Sequence, residues 1–456
     1  MVQQASERRI KASDPGWAWA VYSPSESAPW NLARAAHLYR RAGFGASWVE
    51  LQQALSDGPQ RTIDRLLKPE IDPARFNLEH DQFEFSASVD GLRAWWLRRM
   101  IQTPHPLLEK MTLFWHSHFA ADAAKVKDAR LMQQNVRLLR SQALGSLRTM
   151  LEGIWRDPAI LLSVGAQASR KTRPNENLAQ TLLEVFTVGP GQFTQKDVHE
   201  AARAFTGWFV LRSRLRYIER EYDDGDKQIL GQKGPFKGDD VVRILLEQPA
   251  TAQTLVRKLY RFLLNESEES DADLLAPLAE SFARDYDISK LVATILRSNL
   301  FFSQESYRRR IKSPVDFALG IIKGLEETVS TTHLAGDLAN LGQNLYHPPT
   351  VHGWPGGRHW INTATMTARS NLALALLQGS GPYGEKLNPC PIAQKHGASD
   401  LQSAGRFLFD LFLQGDVEGD EYDTLLKAAE APAGGLQEQL RRFAYSVTTL
   451  AEFNLA

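Results

Sequence analysis

The chain has 456 residues, with 53 basic and 53 acidic side chains and a formal net charge of zero. Hydrophobic residues make up 43% and charged residues 23%, which is typical of a folded globular protein and excludes disordered and fibrous classes. A neutral chain needs a strongly segregated basic patch to bind nucleic acid, and the best basic run is RRRIK at 308–312. We interpret that run as a solvated loop or a salt-bridged corner, and we expect no nucleic acid partner.

The cysteine content and the apolar pattern limit the chemistry and the location. Cys390 is the only cysteine, which excludes an intrachain disulfide and a cysteine-based zinc site. The surrounding NPCP segment, 388–391, is predicted to be a rigid turn. Residues 1–10 lack the apolar core of a secretory signal, and no window approaches the ~18 apolar residues of a transmembrane helix. We therefore predict a cytoplasmic protein without a membrane partner.

Apolar residues recur at helical spacing over most of the chain, as in Leu107, Met111 and Trp115. This pattern predicts a mainly α protein with one large multi-helix domain. We expect four parts: an N-terminal arm over 1–30, a helical core domain over 31–378, a linker over 379–398, and a C-terminal helical segment packed on the core over 399–456.

Two stretches interrupt the helical pattern. Residues 208–221 are rich in aromatic and β-branched side chains and precede a turn at 223–225, so they predict a small β-hairpin. Residues 347–360 contain three prolines and three glycines and predict a rigid, irregular loop. Capping-box patterns at 194–197 and 313–316 each predict the start of a helix.

The common catalytic motifs are missing from the sequence. It contains no phosphate-binding loop, no dinucleotide-binding glycine motif, no HExxH and no GxSxG. We therefore expect no nucleotide cofactor, and the common zinc proteases and esterases are excluded. The remaining candidates are polar residues within apolar helices.

The first candidate is the motif WHSHF at 115–119. Residues two apart on a helix point roughly 200° apart, so His116 and His118 cannot share one metal from a regular helix. We expect only His118 to face the interior, together with Met111 and Phe114. A core histidine bonded to a backbone carbonyl and a metal or acid–base role are both open interpretations.

The second candidate is a helix predicted over 176–188. Glu176 and Glu184 lie eight residues apart on its polar face, opposite an apolar face. A solvated stripe would show the same pattern. Because this stripe lacks lysine and is self-repelling, a cation or an arginine partner is an alternative, with Arg203 and Arg369 as candidates.

The third candidate is the segment DVHEAARAFTGW at 197–208. Asp197 is expected to cap its helix, and the small residues before Arg203 predict close helix packing around that side chain. A buried guanidinium keeps its proton and needs a carboxylate. We predict a salt bridge from Arg203 to Glu176 or Glu184, rather than only to Glu200 on the same helix.

Taken together, the motifs resemble a bacterial family known as domain of unknown function 1800, from about Ala36 to the C-terminus. The segments that carry the resemblance are HLYRRAGFG (37–45), WHSHF (115–119), the helix 175–189, the segment 197–208, DDGDK (223–227), LG (230–231), RKLY (257–260), VHGWPGG (351–357) and LAEF (450–453).

The resemblance implies a largely helical protein, and it brings no assigned reaction. Members of the family often carry export signals and are often encoded beside a companion family that looks like a sulfatase or phosphatase. A companion protein encoded nearby is therefore the expected partner. This chain has Gln180-Thr181 where the family has Arg-Glu, and Tyr222 where it has His.

Two functions follow from these patterns. The first is an enzyme in which the polar residues converge on one site and act by acid–base chemistry, with a divalent metal ion as one alternative cofactor. Its catalytic residues would be Glu176, Glu184, Asp197, Arg203 and His118, and its pocket wall Trp354, Trp360, Asp224 and Lys227. The second is a non-catalytic helical scaffold in which the same charges form a buried ion-pair network.

Overall fold

The structure is a computed structural model that describes residues 12–68, 75–78, 88–266, 271–415, 419–431 and 434–456. Residues 1–11, the first part of the predicted arm, lie outside the described residues. The rest of the arm packs on the protein. Trp19 donates from its indole N–H to the carbonyl of Leu274 at 2.7 Å, and the Tyr22 side chain is buried.

Helices make up 62% of the described residues, as the apolar spacing predicts. The helices of the first half of the chain are α1 Pro15–Ala18, α2 Leu32–Ala42, α3 Trp48–Leu67, α4 Val89–Gln102, α5 Pro106–His118, α6 Ala123–Val126, α7 Ala129–Ser141, α8 Leu147–Ile154, α9 Pro158–Ser163, α10 Glu176–Thr181 and α11 Gln195–Ala204. Those of the second half are α12 Gly238–Leu246, α13 Pro249–Leu263, α14 Ala272–Ala283, α15 Ile288–Arg297, α16 Pro314–Gly324, α17 Thr331–Asn340, α18 Thr363–Leu377, α19 Pro389–Lys395, α20 Leu401–Leu413, α21 Gly419–Glu430 and α22 Leu436–Thr449.

Helix α5 lies in the interior of the protein. Nearly all of its residues are buried, because it is apolar on every side, and it packs against α2, α3 and α7. The charged residues that it carries are paired. Glu109 accepts from both Arg99 and Arg140, and Lys110 is paired with Asp316. The predicted capping boxes of α11 and α16 are both present.

The predicted hairpin is confirmed as β1 Trp208–Leu211 paired with β2 Arg214–Tyr217. A second antiparallel pair, which the sequence pattern did not predict, follows as β3 Lys227–Ile229 and β4 Gln232–Gly234. Its three-residue strands are too short for alternation to be recognised. Strand β3 packs against α11 and so brings the turn before it close to that helix.

The helix predicted over 176–188 changes its geometry halfway. Helix α10 continues directly into a π-helix, Leu182–Phe186, and the backbone then turns at Gly189, where φ is +88°. A π-helix widens the hydrogen-bonding ring by one residue, and such turns occur often at functional sites. Here the last two residues of the π-helix, Val185 and Phe186, supply carbonyl groups that accept side-chain hydrogen bonds.

The segment predicted as a linker, 379–398, contains helix α19, which packs against α20 and α22. Asn388 caps this helix, so the NPCP segment begins a helix where a rigid turn was predicted. The C-terminal helices contact the core through α16 and α18. Among the residues that the structure describes, no helix combines the length and apolar character needed to span a bilayer.

Candidate functional site

A cavity of about 430 Å³ lies between the end of α5, the second half of α13, the start of α16 and the loop that follows α17. We call it the Lys258 pocket. The lining residues that matter for its chemistry are His118, Lys258, Arg261, Arg310, Trp354 and Trp360. The cavity is of the size of small-molecule sites, and three of its lining residues were predicted as site residues: His118, Trp354 and Trp360.

The Pro/Gly loop forms one wall because it is held against the end of α5. The backbone N–H of Trp354 donates to Ser117 Oγ at 3.2 Å. Gly353 has φ of +75°, and a Cβ at this position would lie 2.1 Å from the carbonyl oxygen of Ser117. Only glycine permits this approach, and the contact positions Trp354 at the pocket.

Lys258 and His118 contact each other in the pocket. Lys258 Nζ donates to His118 Nδ1 at 3.1 Å and to the carbonyl of Val185 at 2.8 Å. His118 Nε2 donates to the carbonyl of Phe186 at 3.2 Å. A carbonyl can only accept, so Nε2 carries the hydrogen and Nδ1 is the acceptor toward Lys258.

The π-helix supplies both carbonyls. Val185 and Phe186 are its last two residues, and their carbonyls need hydrogen-bond donors from outside the helix at its end. Lys258 and His118 provide these donors from two other helices, α13 and α5. The local geometry of 182–186 therefore orients the two polar side chains.

Burial shifts the pKa values of both groups. It lowers the pKa of Lys258 to about 8. Burial, followed by the charge of Lys258, lowers the pKa of His118 well below its usual range. Near neutral pH the pocket therefore holds a neutral imidazole beside an amine that is mostly protonated, but that is neutral in roughly a tenth of the molecules, far more than an ordinary lysine.

The pocket has more positive than negative charge. Among the described residues, no carboxylate lies within ion-pair distance of Lys258 or Arg261. Arg310 is 5% exposed and pairs with Glu266 at 3.2 Å, while its Nη1 has no hydrogen-bond acceptor in the described part of the chain. The other lining carboxylate, Asp316, is already paired with Lys110.

Aromatic rings form the rest of the wall. Trp354 lies 5.6 Å from the ring of His116, and Phe114 stacks on His118 with parallel rings at 6.1 Å. The guanidinium of Arg310 lies 5.0 Å from the ring of Phe262. These flat apolar faces beside uncompensated cations suit a ligand that has both an apolar part and an anionic group.

The prediction that Arg203 forms a salt bridge with Glu176 or Glu184 is wrong. Arg203 Nε and Nη2 donate to the two carboxylate oxygens of Asp223 at 2.8 and 2.9 Å, and Nη1 donates to Glu200 at 2.8 Å. The second hairpin places Asp223 against α11, and this arrangement satisfies the guanidinium without Glu176 or Glu184. The side chain is 20% exposed, so Arg203 is only partly buried.

The glutamate stripe has other partners. Glu176 accepts from His199 Nδ1 at 2.8 Å and from Gln195 at 2.9 Å, and Glu184 accepts from Gln180 at 2.5 Å. The second proposed partner of the stripe, Arg369, is buried elsewhere. It donates to the carbonyl of Lys312 at 2.7 Å and to the side chain of Asn454 at 3.2 Å.

The other predicted residues also lie outside the pocket lining. Asp197 completes the capping box and accepts from the backbone N–H of Leu230 at 2.8 Å. Lys227 is buried and donates to the carbonyls of Asp223 and Gly225. Asp224 is exposed. The hydrogen bonds of Glu176, Arg203 and His118 do not join these three residues in one network.

The expectation that only His118 faces the interior is wrong, because His116 is fully buried as well. Its Nε2 accepts the backbone N–H of Tyr346 at 3.1 Å. Burial, with a smaller effect from His347, lowers its pKa to about 3. Because α5 lies in the interior, other elements pack on its opposite faces. His116 and His118 can therefore both be buried, although they point roughly 200° apart.

The described residues do not suit a metal ion. Within them, no three His, Cys, Asp or Glu side chains converge as a metal-binding group. Divalent ions in proteins usually take three or more such ligands. The divalent ion that the sequence left open therefore has no suitable ligand set in the described part of the chain.

Three lining residues were not predicted to be functional: Lys258, Arg261 and Arg310. A signal for two of them was present in the sequence. Lys258 lies in the RKLY motif on which the family resemblance partly rests, and Arg310 lies in the basic run at 308–312. The interpretation of that run as a solvated loop is wrong for Arg310 and Lys312, which are 5% and 4% exposed. The alternative of a salt-bridged corner holds for Arg310.

Comparison with known proteins adds one finding. No curated protein matches the chain, and no solved structure matches it. A family model described as "Protein of unknown function (DUF1800)" matches residues 37–455, nearly the whole length. The chain therefore belongs to this family.

Proposed function

We propose that the protein is an enzyme that binds a small organic anion in the Lys258 pocket and uses Lys258 and His118 to transform it. The observation that carries the proposal is the charge of the pocket. Lys258, Arg261 and Arg310 line it, and of the described lining carboxylates Glu266 is paired with Arg310 and Asp316 with Lys110, so Lys258 and Arg261 have no carboxylate partner among the described residues. Uncompensated cations in a partly dehydrated cavity favour an anionic ligand.

The role of Glu266 supports this assignment. Its two oxygens accept from Arg310 Nε and from the backbone N–H groups of Ile311 and Gly357. This carboxylate therefore holds the Pro/Gly loop to the start of α16. Because these three donors occupy both oxygens of Glu266, this carboxylate is not available as a counterion for Lys258 or Arg261.

The chemistry follows from the pairing of a neutral imidazole with an amine of lowered pKa. A group whose pKa lies near the working pH exchanges protons efficiently, and Lys258 has this property. We assign Lys258 as the catalytic residue that contacts the substrate, and His118 as the group that holds its amine and relays a proton. The carboxylates Glu176, Glu184 and Asp197, with Arg203, are assigned structural roles, as in the scaffold interpretation.

Calorimetric titration tests the binding function. Benzoate and phenyl phosphate are matched to the uncharged benzamide, because all three present the same ring. We expect the two anions to bind at least tenfold more tightly than benzamide, with an affinity that falls as salt increases. Equal affinity for benzoate and benzamide, or no binding of either anion, would contradict the proposal.

The proposed location rests on the apolar pattern of the sequence, and the proposed partner rests on the family resemblance. We propose a cytoplasmic bacterial protein that acts together with a companion protein encoded nearby. Cell fractionation and affinity purification of the tagged chain test this. Recovery in the exported fraction, or purification without the companion protein, would count against it.

A further inference from the structure

We propose that the substrate is an organic anion with an aldehyde or ketone carbonyl, and that Lys258 attacks this carbonyl to form a Schiff base. The inference rests on the proposed function and narrows its substrate class.

A neutral amine has two hydrogens and one lone pair. In the structure, two acceptors face Lys258 Nζ: the carbonyl of Val185 at 2.8 Å and His118 Nδ1 at 3.1 Å. Both hydrogens of the neutral form are therefore satisfied, and the fourth tetrahedral position is left to the lone pair. Among the described residues no third acceptor faces Nζ, so the protein groups around Lys258 leave this position of the nitrogen directed to the pocket and to a substrate.

His118 is held in the tautomer that this reaction needs. Phe186 fixes the hydrogen on Nε2, so Nδ1 is free to accept a proton from the nitrogen of Lys258. The imidazole cannot rotate without losing the bond to that carbonyl. Its positioning role is to take a proton from the attacking nitrogen and return it to the substrate oxygen.

The steps balance without an oxidant or a reductant. The Lys258 lone pair forms a bond to the carbonyl carbon, and the π electrons move to the carbonyl oxygen. One nitrogen proton passes through His118 Nδ1 to that oxygen and gives a carbinolamine. The hydroxyl then leaves with the second nitrogen proton as water, and the C=N bond forms.

Three buried lysines show why Lys258 is singled out, and one of them, Lys227, donates to the carbonyls of Asp223 and Gly225 and lies outside the pocket lining. Burial also lowers the pKa of Lys110 to about 8, but its ammonium is paired with Asp316 and fully buried. Lys312 is 4% exposed, lies 3.5 Å from the ring of Phe453 and lines a separate cavity of only about 30 Å³. Of these four lysines, only Lys258 lines a cavity that admits an organic substrate.

The anion is held by charges on the same side of the pocket. Arg261 follows Lys258 by three residues on α13 and so lies on the same face of the helix. Arg310 lines the pocket from the segment before α16. A carboxylate or phosphate of the substrate at these guanidinium groups would place a nearby carbonyl within reach of Lys258.

Reductive trapping tests the inference. The full chain is incubated at pH 7.5 with glyoxylate, an anionic aldehyde, or with glycolaldehyde, its uncharged counterpart, and sodium cyanoborohydride. Labelled lysines are then mapped by mass spectrometry. We expect glyoxylate to label Lys258 at least tenfold faster than the exposed Lys125 and Lys196, and faster than glycolaldehyde does. The variant Lys258→Arg should lose this label, whereas Lys196→Arg should lose only the slow surface label.

The outcomes separate the inference from the function on which it rests. Labelling of Lys258 no faster than that of Lys125 and Lys196 overturns the Schiff base, even if benzoate binds, and it needs no variant to fold. Fast labelling by both aldehydes at equal rates, without benzoate binding, supports the reactive amine and overturns the anionic substrate. Fast labelling that Lys258→Arg retains overturns the assignment to this residue.

Discussion

Two polar regions of the molecule contain similar residues and differ in how these residues are paired. In the Arg203 network, formed by Glu200, Arg203, Asp223 and Lys227, all three guanidinium nitrogens donate to acceptors, and Lys227 donates to two carbonyls. In the Lys258 pocket, Lys258 and Arg261 have no carboxylate partner among the described residues.

The difference shows which feature points to a ligand. A charged residue with every donor satisfied contributes to folding, and it has little left to offer a substrate. A charged residue that lines a cavity and lacks a counterion has been kept at a cost to stability. We therefore propose a structural role for the Arg203 network and regard the Lys258 pocket as the candidate functional region.

The greatest loss of stability is expected for a substitution in the Pro/Gly loop that forms one wall of the Lys258 pocket. Gly353→Ala should destabilise the protein by about 3 kcal/mol or more, because the Cβ meets the Ser117 carbonyl oxygen at 2.1 Å and φ is positive. Gly191→Ala is the control: its φ is +78°, but nothing lies within 4 Å of the added Cβ, so about 1 kcal/mol is expected. Denaturant unfolding measures both, and equal losses would argue against a tight loop contact.

The next effect tests the Arg203 network. Arg203→Met should cost about 2 kcal/mol of unfolding free energy, because it removes a bidentate ion pair that is partly buried. Benzoate binding in the Lys258 pocket should not change. Arg216→Met, on the exposed strand β2, should stay within about 0.5 kcal/mol of the unmodified protein. A large loss of benzoate affinity in Arg203→Met would mean that the Arg203 network contributes to binding in the Lys258 pocket.

A smaller effect follows from the pKa of Lys258, which is about 8 in the folded protein and 10.5 in its ordinary state. The unfolded chain binds more protons between these pH values, so the lysine destabilises the protein below pH 8 and this penalty disappears as pH rises toward 10.5. The stability of the unmodified protein relative to Lys258→Met should rise by about 1–2 kcal/mol over this window. If the difference in unfolding free energy between the unmodified protein and Lys258→Met does not change with pH, the amine of Lys258 is solvated and its pKa is not lowered in the folded protein.

The smallest effect concerns the second uncompensated cation. Arg261→Gln should weaken the binding of benzoate about fivefold to tenfold, equivalent to about 1 kcal/mol, and should leave the stability nearly unchanged. Arg257→Gln is the matched control, because Arg257 is exposed on the same helix and does not line the pocket. Calorimetry on both variants decides the point, and equal affinities would remove Arg261 from the binding site.

Part of the site was predictable and part was not. The WHSHF motif and the Pro/Gly loop indicated His118, Trp354 and Trp360, because polar or rigid residues in such settings are conspicuous in a sequence. Lys258 was not recognised as functional, since a lysine on an amphipathic helix usually faces water. Its partner His118 lies 140 residues away along the chain, and no local pattern connects the two.

The helical fold, the first hairpin, the two capping boxes and the family could all be predicted from the order of residues along the chain. These features depend on residues within about four positions of each other, or on motifs read along the chain. Three other features became visible in the packed structure. Arg203 pairs with Asp223, and both histidines of α5 are buried. The end of the π-helix orients Lys258 and His118. The physical reason is that an ion pair forms with whichever opposite charge the packing of whole elements brings within about 4 Å, and neighbours along the chain do not specify that packing.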